Sequence, residues 1–285
     1  MQRLQIFHLT EYQFATPVTL DPHQLLLRPR EGHDLRIESS RLDISPAHSI
    51  RWHRDVLDNS VATVAFMEPA QRLRIVSDVI IEHYDEAPLD FVVDEHAVSF
   101  PFDYAANEQM DLAPFQGLVY PDDAPVLREW ISKRGFDTHN VQTYALLDRI
   151  NRAIANEFAY LVREEAGVQS PAQTLARCSG SCRDFATLFM EACRVLGLAA
   201  RFVSGYLHAP ASEAGNASTH AWAEVYLPGP GWKGFDSTTG AVTGSTHIPV
   251  AVARRPDAVP PVSGRFVGPA GWLPTLIVNV RVSAL

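Results

Sequence analysis

The period of the apolar residues changes part-way along the chain, and that change limits the fold more than any other feature. Leu73, Ile75, Ser77, Val79 and Ile81 follow a period of two, the spacing of a half-buried strand. Ile50, Trp52 and Val56 share one phase, and Asp58-Asn59-Ser60 supplies a turn before the apolar run from Val61 to Phe66. Leu35 and Ile37 are out of phase with Leu42 and Ile44, which marks a bulge or a break between two strands. Short strands at turn-punctuated spacing predict a β-sandwich over residues 1–85.

Beyond residue 121 the spacing becomes helical. Asp122 or Asp123 can cap a helix with Pro125 in its first turn; Val126, Leu127, Trp130 and Ile131 form its buried face and Gly135 ends it. A second helix carries Tyr144, Leu147, Ile150 and Ile154. A third begins near Cys182, with Phe185, Phe189, Ala192 and Leu196 on one stripe and Gly197 as its stop. Strands return over 200–207, 220–227, 231–236 and 275–282. Helices followed by antiparallel strands make an α+β domain, assigned to residues 122–285. The intervening 86–121 has no clean period, yet Phe91, Phe100, Phe102, Tyr104 and Phe115 need burial. It is expected to be an ordered connecting segment that holds the two regions rigidly, not a solvated linker.

Composition excludes some functions. A hydrophobic fraction of 46% over 285 residues supports substantial cores. A net charge of -9 and a pI near 5.6 argue against a nucleic-acid partner, which requires a basic face. The N-terminus lacks a continuous apolar signal core, and no apolar run is long enough to span a bilayer, so no membrane partner is expected. Cys178, Cys182 and Cys193 crowd into one short segment. That is a poor disulfide framework and a better fit to one working thiol in a reducing compartment, with the cytoplasm as the default.

The run Ser179-Gly180-Ser181-Cys182-Arg183-Asp184 places a cysteine in the first turn of the predicted buried helix, after a Gly/Ser loop. Helix starts present unpaired amides and partial positive charge, which stabilise a thiolate and can receive an oxyanion. A thiolate nucleophile wants a histidine and a group to orient it. His220 opens the aromatic-rich strand His220-Ala-Trp-Ala-Glu-Val-Tyr226, and Asp236 closes the next, Gly231-Trp-Lys-Gly-Phe-Asp236. A turn at 228–231 makes these a hairpin, so the start of one strand lies beside the end of the other. The spacing permits a Cys-His-Asp triad; periodicity does not by itself establish one.

These motifs resemble the bacterial transglutaminase-like proteins, a superfamily that also includes animal transglutaminases and peptide N-glycanases. Cys182-Arg-Asp-Phe-Ala, with Arg194-Val-Leu-Gly-Leu-Ala-Ala-Arg-Phe-Val-Ser-Gly-Tyr-Leu207, resembles the nucleophile helix and the strand after it. The His220 and Asp236 runs resemble the motifs that carry the family's histidine and aspartate. Leu4 to Arg30, Arg51-Trp-His-Arg-Asp-Val56 and the tail from His247 resemble the family's N-terminal β-domain and C-terminal stretch, so the likeness covers nearly the whole chain. Ser237 departs from it, standing where relatives commonly carry proline.

The resemblance implies a papain-like transglutaminase core, helices packed on an antiparallel sheet, with Cys182, His220 and Asp236 as the catalytic triad. The implied chemistry is acyl transfer on amides through a thioester, as in a cysteine protease, amidase or transglutaminase, on a protein or peptide substrate. A non-catalytic binding module, or an accessory to an ATP-grasp peptide-ligating system, is the alternative. No cofactor and no metal site are expected. Trp222 and Trp232 are candidates to wall an acyl tunnel, against the more ordinary role of strand aromatics as core. Cys193 reads as a buried hydrophobe and Cys178 and Asp184 as structural. His208 and His247 are placed near the site, and His53 as a structural residue of the β-domain.

Overall fold

The computed structural model describes residues 1–84, 89–163, 167–208, 219–269 and 273–285. Six strands come first: β1 (Gln2–Leu20), β2 (His23–Leu25), β3 (Leu35–Ser45), β4 (His48–Arg54), β5 (Ser60–Phe66) and β6 (Ala70–His83). They form two antiparallel sheets, with β6 between β1 and β3 in one and β5 between β2 and β4 in the other. Val18, Leu20, Leu25, Leu27, Ile44, Val64, Leu73 and Ile75 fill the space between them. The alternation in β6 works as its period dictates, since Leu73, Ile75, Ser77, Val79 and Ile81 are all buried. The phase change before Leu42 is a bulge inside one strand, because the register of β3 on β6 shifts between Ile37 and Ser39. Trp52 and Val56 correct the expected phase, being 50% and 99% exposed. Trp52 is on β4, a sheet edge, and Val56 is in the turn after that strand; only Ile50 of that phase reaches the apolar layer.

The helical part then adds β7 (Ser99–Phe100), α1 (Ala106–Gln116), α2 (Ala124–Lys133), β8 (Val141–Gln142), α3 (Thr143–Glu157), β9 (Ala159–Tyr160), α4 (Pro171–Arg177), β10 (Ser179–Gly180) and α5 (Cys182–Val195). An antiparallel sheet follows: β11 (Ala200–Leu207), β12 (Thr219–Leu227), β13 (Gly231–Asp236), β14 (Ala241–Val242) and β15 (His247–Ala253), in the order β14-β13-β12-β11-β15. The fold is therefore α+β, as its pattern predicts. Helix α5 packs on β11 and β12 and against α2, α3 and α4. It is buried on almost every side, so its single apolar stripe understates it: Leu188, Met190 and Cys193 are enclosed along with Phe185 and Phe189. Each large side chain enclosed there contributes about 2–3 kcal/mol of burial.

The aromatic connecting segment is fastened down. Tyr104, Leu112 and Phe115 cluster with Ala199. The Tyr104 hydroxyl donates to the Tyr226 carbonyl at 3.0 Å and accepts from the Ala199 N–H at 2.9 Å. Helix α1 forms here although its apolar residues follow no clear period.

The last strands, β16 (Val262–Ser263), β17 (Phe266–Val267) and β18 (Thr275–Ala284), correct the division at 122–285. They return to the N-terminal sheets: β16 pairs with β2, β17 with the end of β1, and β18 runs along β1 from Leu4 opposite Ala284 to Gln13 opposite Thr275. One edge of β1 is taken by β6; its other backbone donors and acceptors need a partner, and the returning chain supplies it. The expected boundary between 85 and 86 lies outside the described residues.

The two regions share one apolar core, in which Leu4, Ile6, Val79 and Ile81 join Phe189, Phe202 and Ala251. Polar contacts cross the same seam. Asn59 exchanges two hydrogen bonds of 2.8 Å with the Val252 backbone, and a His8 ring nitrogen lies 2.9 Å from the Tyr206 hydroxyl.

Candidate active site

Helix α5 is started by a reciprocal cap. Ser181 donates from its backbone N–H at 2.8 Å and its hydroxyl at 2.9 Å to Asp184, three residues on. Asp184 also accepts from the Gln169 N–H at 2.7 Å and from Arg163, whose Nη1 is 2.8 Å from each carboxylate oxygen. Burial opposes its charge, but these donors outweigh it and hold the carboxyl below its ordinary value. Gly180 is required by close approach, since a Cβ there would lie 2.8 Å from that of Asp184. The outcome is a fixed helix start with Cys182 as the first residue, buried among the apolar groups.

The hairpin of β12 and β13 pairs Ala223 with Phe235 and brings the start of one strand beside the end of the other. His220 Nε2 lies 2.9 Å from Asp236 Oδ2. Asp236 is fully enclosed and collects further donors: the Thr238 N–H on Oδ1 at 2.9 Å, and the Thr239 hydroxyl on Oδ2 at 3.1 Å. His247 Nε2 meets the same Oδ2 at 3.2 Å. Burial disfavours the Asp236 charge, yet the two histidines outweigh it and hold the carboxyl far below its ordinary value. For His220 burial likewise pulls the pKa down, but hydrogen bonds to Asp236 and Cys182 prevail and raise it to about 10. With Nε2 on Asp236, Nδ1 is the nitrogen left for the thiol. The structure thus brings the three sequence candidates into one connected group.

Comparison with known proteins places this arrangement. Residues 4–82 match the bacterial transglutaminase-like N-terminal region, and residues 133–237 match the transglutaminase-like superfamily core. An uncharacterised protein of Mycobacterium tuberculosis is 30% identical over 280 residues, which span 92% of this chain and 87% of that protein. The chain belongs to the bacterial transglutaminase-like family. An uncharacterised Mycobacterium leprae protein is 24% identical, with 94% of each chain covered. A candidate cysteine protease from Cytophaga hutchinsonii shares the fold, with a TM-score of 0.76 at 21% identity over 100% of this chain and 91% of its own.

Both candidate tunnel tryptophans of this transglutaminase-like chain are packed against other side chains. Trp222 is 1% exposed and packs beneath the histidines, its ring edge-on to His247 at 5.3 Å and clustered with Val203 and Val252. Trp232 begins the strand that Asp236 ends, so it lies about 13 Å away along β13. It packs on Phe115 and beneath the Arg201 guanidinium. Both were read from strand position, which does not say which end or face is open.

The aromatic residue beside the thiol is Tyr160. It is 46% exposed on β9, which runs parallel to β10 just before Cys182. Burial, and with it the nearby Asp236 carboxylate, raises its hydroxyl pKa. No motif marks it, because β9 is two residues long and its pairing is with a distant segment. Ser237, the departure from the family pattern, is compensated: its hydroxyl donates to Asn151 Oδ1 on α3 at 2.8 Å and ties down the Asp236 turn.

Cys193 is enclosed in α5, and burial pushes its thiol far up. Cys178 is exposed and ends α4 in the left-handed region at φ 49°. His53 is exposed, not structural, and His208 reaches this region only through its backbone, donating to the Thr246 carbonyl at 2.8 Å. Among the described residues, His220, Asp236 and His247 could offer a metal three ligand atoms within 4.8 Å of one another. Hydrogen bonds account for each of their contacts. No helix among the described residues is long and apolar enough to cross a membrane.

Proposed function

We propose that this protein is a cysteine-dependent acyl-transfer enzyme acting on amide bonds of protein or peptide substrates. One observation carries the reading: Cys182 stands at the start of a buried helix beside His220, whose Nε2 lies 2.9 Å from the enclosed Asp236 carboxylate. The helix start and an imidazolium partner both favour the thiolate. The Cys182 sulfur attacks the amide carbonyl carbon, and the backbone N–H at the helix start donates to the oxyanion. The C–N bond then breaks as His220 delivers its proton to the departing amine, leaving a thioester. Water adds to the thioester with His220 taking its proton, and the sulfur leaves as thiolate with the acid released. Asp236 orients His220 and stabilises its charged form throughout. The residues complete this cycle without a cofactor.

An amine in place of water would give transamidation. We favour hydrolysis, because water meets the thioester in large excess unless a pocket concentrates the amine or excludes water. Three free thiols support a reducing compartment, which we read as the cytoplasm.

The test is turnover of a peptide-amide and ester library with mass spectrometry of the enzyme. An acyl adduct on Cys182 and its disappearance in Cys182→Ala are expected. Undiminished turnover by folded Cys182→Ala refutes the proposed role.

A further inference from the structure

We propose that His247 is a positioning residue of this site, donating from Nε2 to the Asp236 carboxylate that orients His220, so that the working group is Cys182, His220, Asp236 and His247. The inference rests on the acyl-transfer reading above. His247 opens β15 opposite Leu207 and is buried. Its Nδ1 accepts from the Gly244 N–H at 3.4 Å and meets the Thr246 hydroxyl at 3.2 Å. That leaves the proton on Nε2, 3.2 Å from Asp236 Oδ2. The edge-on contact with Trp222 fixes the ring from the side. Trp222 reaches that place only because residue 205 is glycine; a Cβ there would fall 2.7 Å from the indole.

The loop that carries His247 is held by the N-terminal region. His83 on β6 donates from Nδ1 to the Ser245 carbonyl at 2.8 Å, and Gln2 Nε2 lies 3.5 Å from the Ser245 hydroxyl. The β-domain therefore has a physical link to the site: it fixes the turn that aims His247.

Both imidazoles meet the same oxygen of Asp236. With the Thr239 hydroxyl they make three donors on one oxygen and divide its charge, so His247 fixes the carboxylate while moderating its hold on His220. The ionisable groups around His247 are Asp236 at the end of β13, His220 at the start of β12 with Cys182 beyond it, and His83 across the Ser245 carbonyl. Removing the His247 donor leaves the carboxylate freer to turn and more available to the His220 imidazolium.

The experiment compares His247→Gln, His247→Asn and His247→Phe. A glutamine amide reaches where Nε2 stood; an asparagine amide stops short. The Asn and Phe variants are expected to lower kcat about 10- to 100-fold with KM little changed. They should also move the alkaline limb of kcat/KM to higher pH, while Gln stays near wild type in both. The rate of Cys182 alkylation by iodoacetamide against pH provides a second readout that needs no substrate. Folded Asn or Phe variants with wild-type kcat and pH profile overturn the proposal, as does equal impairment of all three with no movement of the limb. If the Phe variant does not fold, the Asn and Gln pair decides. Failure of the acyl-transfer reading is separate, because it shows as turnover that survives Cys182→Ala.

Discussion

The two regions of this molecule are stabilised by different means. Between the N-terminal sheets the enclosed side chains are Val18, Leu20, Leu25, Leu27, Val64, Leu73 and Ile75, all apolar. Around α5 the enclosed set includes Asp184, Glu191, Arg194, His220, Asp236 and His247. Buried polar groups also occur in the β-domain: His8, Asn59 and His83 lie at the seam and bind the other region, while Glu11 and His23 bind Arg72 and the Asp21 carbonyl within it. Apolar contacts tolerate small displacements; directional hydrogen bonds do not. The difference shows where the fold requires exact geometry.

Asp236→Asn should have the largest effect on the polar side of this comparison. Without the carboxylate, kcat is expected to fall about a thousandfold, less than loss of the nucleophile. The pH profile should also change. The His220 pKa is raised from its ordinary 6.5 to about 10, so its charged form, and the activity that needs it, persist below the raised value and are lost as pH rises through it. The wild-type alkaline limb is expected near the raised value, and the Asn variant's limb nearer 6.5. Stability follows the same sign: the His220 contribution is complete below 6.5 and disappears by about pH 10, visible as a falling melting temperature. A limb unmoved by Asp236→Asn would break the assignment.

Glu191→Ala should cost about 4 kcal/mol by urea unfolding, because it strands Arg194 in the interior. Glu191 meets Arg194 Nη1 at 2.9 Å, with both side chains fully enclosed, and also accepts from the Val119 and Tyr120 amides. Leu73→Ala, in the apolar sheets, is expected to cost about 3 kcal/mol by the same measurement and to leave kcat unchanged. If Leu73→Ala altered kcat as much as stability, the cluster between the N-terminal sheets would not be as independent of the site as its separation from the shared core indicates. Val56→Ala, in the exposed turn after β4, should stay within about 0.5 kcal/mol of wild type.

Much of this was legible from residue order. The β6 alternation, the α3 stripe and the strands carrying His220 and Asp236 follow from local period, and the start of α5 from its Gly/Ser loop. Helix α4 was missed although it carries a capping box of Ser170 and Gln173, because seven residues hold too little periodicity to register. Strand β15 was missed because it is buried on both faces and reads as a continuous apolar run, His247-Ile-Pro-Val-Ala-Val-Ala253, interrupted by a proline. Pro249 is tolerated because the pairing of β15 with β11 shifts register between Ser204 and Gly205. With that strand unseen, His247 could be placed near the site but given no role.

What the sequence determined by itself is what neighbouring residues decide: the elements, the helix start beneath Cys182, and the hairpin that allows His220 to meet Asp236. Only the tertiary structure decided the rest. It returned the last strand to β1, buried Trp222 beneath the histidines, carried Trp232 away from the site, and brought Tyr160 and His247 into it. Each of those outcomes depends on which distant segment satisfies a strand edge or covers an apolar face. That choice is made by the packed chain as a whole, and no local period records it.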